Sequence, residues 1–267
     1  KLGCMLTVYK NDTTGQSHTT VLFKKNIRVI IDTMPSNDST RLMKYPQLAI
    51  LIPCHNQQEN IVQVIEQTRH FGTVIVIDNA STDNSYHIAK DTGVTVIKEY
   101  RFGYGAAIMT GVLEAKQLGK TIGIILEANL SDNPADIPIL VEPVLKENVD
   151  LCLSSRTRME DQINFDTHQR FGNQFAVWLM RLKTGYQYRD VAPFRAFNIQ
   201  KILDLYMEDE HMGWDIEMQI KSAQQGLSIR EIELPYRKRQ LEASKLSIDI
   251  KNSIKAGVQI LRTVFQH

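Results

Sequence analysis

Two polar stretches, each directly behind an apolar run, carry side chains suited to holding a small polar ligand. The first is Pro53-Cys54-His55-Asn56-Gln57-Gln58-Glu59-Asn60. A carboxylate and amides at such a turn can bind the edge of a base or a ribose. Capping of a following helix by Asn56, with Glu59 in its first turn, accounts for the same residues. The second is Ile77-Asp78-Asn79-Ala80-Ser81-Thr82-Asp83-Asn84-Ser85. Asp78 stands where the acidic residue of nucleotide-binding α/β folds accepts a hydrogen bond from ribose or base. Ser81 and Asp83 also suit a turn closed by side chains and a helix cap, and both readings can hold together.

Elements able to position these residues are legible around them. Leu48–Ile52, Val74–Ile77, Val94–Ile97 and Thr121–Leu126 read as buried strands. Glu59–His70, Ser85–Thr92 and Ala106–Leu118 between them read as helices. Alternation of this kind predicts a doubly wound, mostly parallel α/β sheet with helices on both faces, and ligands beyond the carboxyl ends of its strands. His55-Asn56, Asp78-Asn79 and Glu127-Ala128-Asn129 all fall at such ends. Residues 1–46 differ: Cys4–Tyr9, Thr19–Phe23 and Ile27–Ile31 read as a small antiparallel β appendage with a linker, ahead of a main domain spanning 47–267. Beyond residue 150 the pattern is α-rich. Gln169–Leu182 is an amphipathic helix with Phe171, Phe175, Trp178, Leu179 and Leu182 near one face, Gly213–Gln225 a further helix and Ile229–Pro235 a strand. From Ile248 a last helix carries Ile250, Ile254, Val258, Leu261 and Phe265 at helical spacing, either docked on the domain or lying at a membrane interface.

Together with Arg101-Phe102-Gly103-Tyr104-Gly105-Ala106-Ala107 and Leu126–Pro138, the order and spacing of these motifs resemble the inverting family-2 glycosyltransferases. The branch most similar is that of the dolichyl-phosphate mannose and polyprenyl-phosphate glucose synthases, over roughly residues 47–250. The resemblance implies a GT-A-like, Rossmann-type domain. It also implies a nucleotide-sugar site lined by Pro53, Asn56, Glu59, Asp78, Arg101, Gly105, Glu127 and Asn129. Gly103 and Gly105 form the family's glycine-rich turn, although tight packing alone would explain them. Where the family has Asp-x-Asp holding Mg²⁺ or Mn²⁺ against the donor diphosphate, this chain has Glu127-Ala128-Asn129 with Asp132 nearby. The metal site is therefore weakened, rearranged or lost.

On the acceptor side the resemblance assigns Asp190 and Glu217, with Arg239, to catalysis. An ion pair with Arg195 and an ordinary helix face explain the two carboxylates equally. Arg239, Ser244 and Lys245 match the family's basic loop, with Glu242-Ala243 in place of its Gly-Glu pair, and together with Arg237 they are the phosphate-binding candidates, since arginine forks and a lysine charge suit phosphate oxygens.

The implied activity is inverting transfer of a hexose from a UDP- or GDP-sugar to a polyprenyl-phosphate or hydroxyl acceptor. The altered metal motif motivates a rival, a nucleotide-sugar-binding or scaffold protein without catalysis. A nucleotidyltransferase is disfavoured, because the glycine-rich turn follows the third strand of the sheet rather than the first. With 31 basic and 30 acidic residues the chain is nearly neutral, which argues against nucleic acid as a partner. Cys4, Cys54 and Cys152 form no Cys-x-x-Cys pair and suit a reducing compartment. No apolar run approaches the roughly 18 residues that span a bilayer. The expectation is a cytoplasmic protein, peripheral at the inner face of a membrane at most.

Overall fold

The computed structural model describes residues 7–11, 18–23, 27–32, 43–156, 167–235, 262–264 and 266, with side chains from residue 43 onward except 167–171. The sheet begins at its centre with β4, Leu48–Cys54, seven residues of which all but Pro53 are buried. Its alternate side chains feed two cores. Ala49 and Leu51 enter one, and Leu48, Ile50 and Ile52 the other. Burial on both faces is why the run reads as continuously apolar.

From β4 the chain winds outward through α1 (Ile61–Thr68) to β5 (Thr73–Asn79), then through α2 (Ser85–Asp91) to β6 (Thr95–Glu99). It then returns through α3 (Tyr104–Gln117) to β7 (Ile122–Ile125) on the opposite side of β4. All four strands are parallel, so the winding direction reverses between β4 and β7. Such a reversal opens a crevice above the strand ends. Helices α1 and α2 cover the face of Ile50 and Ile52 with α4 (Ile137–Lys146), and α3 covers the other face.

The second half carries strands that the sequence reading missed. β8 (Leu151–Ser155) and β9 (Arg195–Asn198) bracket α5 (Thr167–Thr184), and β9 inserts antiparallel between β7 and β8. After α6 (Ile199–Asp204) and α7 (Trp214–Gln224), β10 (Ile229–Glu233) closes the edge parallel to β8. At the other edge β1 (Thr7–Asn11), β2 (His18–Phe23) and β3 (Ile27–Asp32) form an antiparallel meander. β3 pairs with β6, giving one sheet ordered β1-β2-β3-β6-β5-β4-β7-β9-β8-β10.

On α5 the aromatic edge points outward: Phe175, Trp178 and Leu182 are exposed, while Ala176 and Met180 are buried. Alanine and methionine let the helix sit close over the core, which the bulkier edge would hold off. The apolar stripe expected from Ile250 to Phe265 lies outside the described residues. Its neighbours Thr263 and Val264 are buried, and the Lys183 ammonium donates to the Val264 carbonyl. This part of the tail is docked on the domain. Among the described residues no helix is long and apolar enough to cross a membrane.

Candidate functional site

Three turns leave the carboxyl ends of β4, β5 and β7, and each contains one non-glycine residue at positive φ. These are Asn56 at 53°, Ala80 at 56° and Leu130 at 62°. Left-handed backbone costs an alanine or leucine on the order of 1–3 kcal/mol, a strain that persists only where the surroundings over-determine it. Here each turn is cross-braced.

The first two turns are latched together. The Asn56 side-chain oxygen accepts from the Thr82 amide at 2.8 Å, and the Asn56 amide donates to Ser81 Oγ at 3.0 Å. The Gln57 amide donates to Ser85 Oγ at 2.8 Å, and the Gln58 amide to Asp83 Oδ2 at 3.2 Å. His55 Nδ1 lies 2.8 Å from the Asn79 carbonyl, which can only accept. The proton is therefore on Nδ1, and Nε2 is left to accept from Asn56 Nδ2 at 3.3 Å. The Asn79 side chain carries the bracing to the third helix, donating to the Arg101 carbonyl at 2.7 Å and accepting from the Gly103 amide at 2.9 Å.

Gly103 and Gly105 then admit a distant segment. A Cβ at Gly103 would lie 2.1 Å from the Glu210 carbonyl, and one at Gly105 would lie 2.2 Å from that of Asp209. The Ala106 amide at the start of α3 donates to the Glu210 carbonyl at 2.9 Å, so residues 209–212 become a wall of the crevice. Glu217 fixes that wall from below: its two oxygens accept from the Glu208 and Asp209 amides, each at 2.7 Å, beside Lys221 Nζ. Asp209 in turn accepts from Thr263 Oγ1 at 3.0 Å.

The result is a cavity of about 340 Å³ at the winding reversal. Pro53, His55, Asn79, Tyr104, Glu127 and Asn129 are among its lining residues, with Phe102 and Met212 exposed at its rim. A few polar groups set among apolar and aromatic ones are a common composition for a small-molecule site. Burial and the neighbouring Asp78 carboxylate push the Cys54 thiol up to about 12, so this lining sulfur stays a neutral thiol.

Of the residues expected to bind the donor, Pro53, Glu127 and Asn129 line the cavity. Asn56 belongs to the latch, and Glu59 is exposed ahead of α1. Asp78 is buried at the end of β5 with Oδ1 lacking a hydrogen-bond partner. The Arg101 guanidinium is committed to Glu99 and to Glu210, each at 2.8 Å. Gly105 serves the packing of residues 209–210. On the acceptor side, the Asp190 carboxylate is gripped by Arg156, whose Nε donates to Oδ2 at 2.8 Å and Nη2 to Oδ1 at 2.9 Å. The pair anticipated with Arg195 does not form; Arg195 instead lies buried with Nη2 3.1 Å from Asp215 Oδ1. Both the Asp190 and the Glu217 carboxylate thus hold hydrogen-bond partners within the protein. Arg237, Arg239, Ser244 and Lys245 lie outside the described residues.

The residues considered for a metal do not fit one as they stand. Asn129 Nδ2 donates to Glu127 Oε2 at 2.9 Å, and Asn129 Oδ1 accepts from the Ser131 amide at 3.0 Å. An amide N–H fills the place where a hard cation needs an oxygen. Asp132 is buried nearby, yet no group of three His, Cys, Asp or Glu suited to an ion occurs among the described residues.

Sequence reasoning passed over His55, Tyr104, His211 and Met212 as lining residues. The signal for His55 and Tyr104 was their place inside motifs already noted. His211 and Met212 reach the site only through the close packing at Gly103 and Gly105.

Comparison with known proteins places this geometry. Residues 49–203 match the family described as Glycosyl transferase family 2. An uncharacterized glycosyltransferase of Mycobacterium tuberculosis is 29% identical over 217 residues, which cover 81% of this chain and 97% of that protein. Undecaprenyl-phosphate mannosyltransferase of Micrococcus luteus is 25% identical over 211 residues, 74% of this chain and 86% of that protein. Among solved structures, glucosyl-3-phosphoglycerate synthase of Mycobacterium tuberculosis, in complex with Mn²⁺, UDP and glucosyl-3-phosphoglycerate, is similar with a TM-score of 0.61. That likeness runs at 17% identity, covers 82% of this chain and 78% of that one, and is a likeness of fold.

Proposed function

The chain belongs to glycosyl transferase family 2, and within that family we propose that it transfers a hexose from a UDP- or GDP-linked donor to a polyprenyl phosphate, with inversion at the anomeric carbon. The observation that carries this reading is the cavity at the winding reversal, where a nucleotide-binding α/β sheet holds its ligand. In the transfer the acceptor oxygen forms its bond to the anomeric carbon as the bond to the diphosphate breaks, and the electron pair leaves with the diphosphate. Asp78 and the latched turns support the nucleoside end, and the cavity's polar groups face the sugar. Arg237, Arg239, Ser244 and Lys245 are proposed to meet the departing diphosphate or the incoming phosphate.

A phosphate acceptor is favoured over a hydroxyl because it is already ionised and needs only orientation. This agrees with Asp190 and Glu217, whose oxygens are occupied by Arg156 and by backbone amides. A lipid acceptor would bring the protein to the cytoplasmic face of a membrane, and the exposed Phe175, Trp178 and Leu182 edge of α5 offers apolar contact there.

The test offers UDP- and GDP-hexoses with polyprenyl phosphate in anionic vesicles, following release of nucleoside diphosphate and the anomeric configuration of the glycolipid. Release coupled to an inverted product is expected. Donor binding without turnover on any acceptor would instead favour a nucleotide-sugar-binding or scaffold protein.

A further inference from the structure

The cavity wall at residues 209–212 belongs to a stretch with no helix or strand of its own, between Asp204 at the end of α6 and Trp214 at the start of α7. Backbone outside helix and sheet keeps its shape through side-chain and tertiary hydrogen bonds. The stretch also carries Glu208, Asp209 and Glu210 in succession, so like charges crowd it. Arg101 pairs with Glu210 at 2.8 Å, and the Gly105 and Ala106 amides of α3 donate to the His211 and Glu210 carbonyls.

The Asp209 side chain supplies a further tie. Its Oδ1 accepts from the His211 amide at 2.7 Å, closing the turn that sets His211, and its Oδ2 pairs with Thr263 Oγ1 at 3.0 Å. An ionised carboxylate only accepts, so the Thr263 hydroxyl is the donor. Thr263 lies 54 residues downstream and is buried. Gly213 makes room for the pair: a Cβ there would lie 2.2 Å from Asp209 Oδ2 and 2.2 Å from Thr263 Oγ1. The next residue, Val264, enters the same core as Ala176 and Met180 of α5, and its carbonyl accepts from Lys183. The tail thus reaches α5 through Val264 and the cavity wall through Thr263. His211 and Met212, two and three positions beyond Asp209, line the cavity, whereas Thr263 is not among its lining residues.

We propose that Thr263 is a positioning residue of the cavity, holding Asp209 so that His211 and Met212 stand against the bound nucleotide sugar. The proposal rests on the reading of the cavity as a nucleotide-sugar site. It makes donor binding depend on a hydroxyl in the C-terminal tail, acting through a carboxylate that fixes the wall. Ligand contacts lose strength when the groups behind them let them shift by a fraction of an ångström.

Two substitutions in the full chain separate the hydroxyl from the bulk of the side chain. Thr263→Val keeps the volume and loses the donor, while Thr263→Ser keeps the donor and loses the methyl group. Calorimetry would use UDP, GDP and their glucose and mannose conjugates, after a thermal melt has set a temperature at which each variant is folded. For the conjugate that the parent binds most tightly, Thr263→Val is expected to weaken affinity about tenfold and Thr263→Ser to stay within about threefold. Lys183→Met, which removes the bond from α5 to the tail, should stay within about twofold of the parent. Unchanged affinity in Thr263→Val overturns the proposal. So does an equal loss in Thr263→Ser, which would assign the effect to packing, or in Lys183→Met, which would assign it to docking of the tail at large. Should the parent bind neither diphosphates nor conjugates, the nucleotide-sugar reading falls and the positioning role with it. If Thr263→Val does not fold, hydrogen exchange of the parent decides. The same conjugate should slow the amides of 209–212 and of Thr263 together, and slowing confined to the turns behind β4 and β5 would overturn the proposal.

Discussion

The turns behind β4 and β5 and the start of α3 at Tyr104 both border the cavity, yet they differ in saturation. In the turns most prominent side chains have found a partner inside the protein, Asn56 with Thr82, Asp83 with Ser85 and Asn79 with Gly103, while Asp78 keeps one buried oxygen without one. At the start of α3 the Tyr104 hydroxyl lacks a hydrogen bond, and in α7 Asp215 Oδ1, ion-paired with Arg195, lacks an aligned one. The Asp190 and Glu217 carboxylates, which the resemblance assigns to catalysis, also hold partners inside the protein. Polar residues at a strand end can thus serve to build the crevice or to meet its contents. The difference lies in which hydrogen-bonding atoms the fold leaves over.

The comparison breaks most visibly at Asp190. Replacing it with alanine strands the Arg156 guanidinium, and the loss of one partner from a buried pair should cost about 3–5 kcal/mol in urea denaturation. Nucleotide affinity of the folded protein should survive. Full stability with abolished turnover would move Asp190 from fastener to catalyst. A smaller effect is expected from Glu217→Gln, which exchanges a carboxylate gripping two amides for a neutral group that reverses one of them. About 1.5–3 kcal/mol of stability should disappear, read from the same denaturation.

Asn129→Asp sharpens the comparison by turning a saturated turn into an unsaturated one. It sets a second carboxylate against Glu127 in place of an N–H donor, and Mn²⁺ affinity should rise on the order of tenfold by calorimetry. No change in Mn²⁺ affinity would remove the metal explanation of this turn. The smallest effect is expected at Asp78, whose Oδ1 is buried without a partner. Asp78→Ala should weaken UDP or GDP binding by at least ~1 kcal/mol, and unchanged affinity in an intact fold would take Asp78 out of nucleotide recognition.

The parallel half of the fold was legible because its strands are buried on both faces and write themselves as runs such as Leu48–Ile52. β9 was not: it begins with Arg195, a charged residue fully buried only because β7, β8 and α7 surround it. No local pattern announces such a strand. The same holds for the site. Pro53, Glu127 and Asn129 lie at strand ends that the pattern located, and they do line the cavity. Tyr104 reads as a helix-opening residue inside a glycine-rich turn. Its buried, unpartnered hydroxyl is a property of the tertiary fold alone.

The wall built on Gly103 and Gly105 has a consequence for how the molecule comes into being. Its carbonyls come from residues 209–210, more than 100 positions downstream, and Asp209 is itself held by Thr263. Contacts so far apart in sequence close late and slow folding, since the intervening chain must be ordered first. During synthesis the strands β4 to β7 emerge with their turns well before the segment that walls the crevice. A ribosome-bound chain therefore presents a half-built pocket with exposed apolar surface, the kind of intermediate that chaperones shelter. Ligand affinity is acquired only once residues 209–263 have been made, so a donor added to nascent chains would act as a clock for that step of the fold.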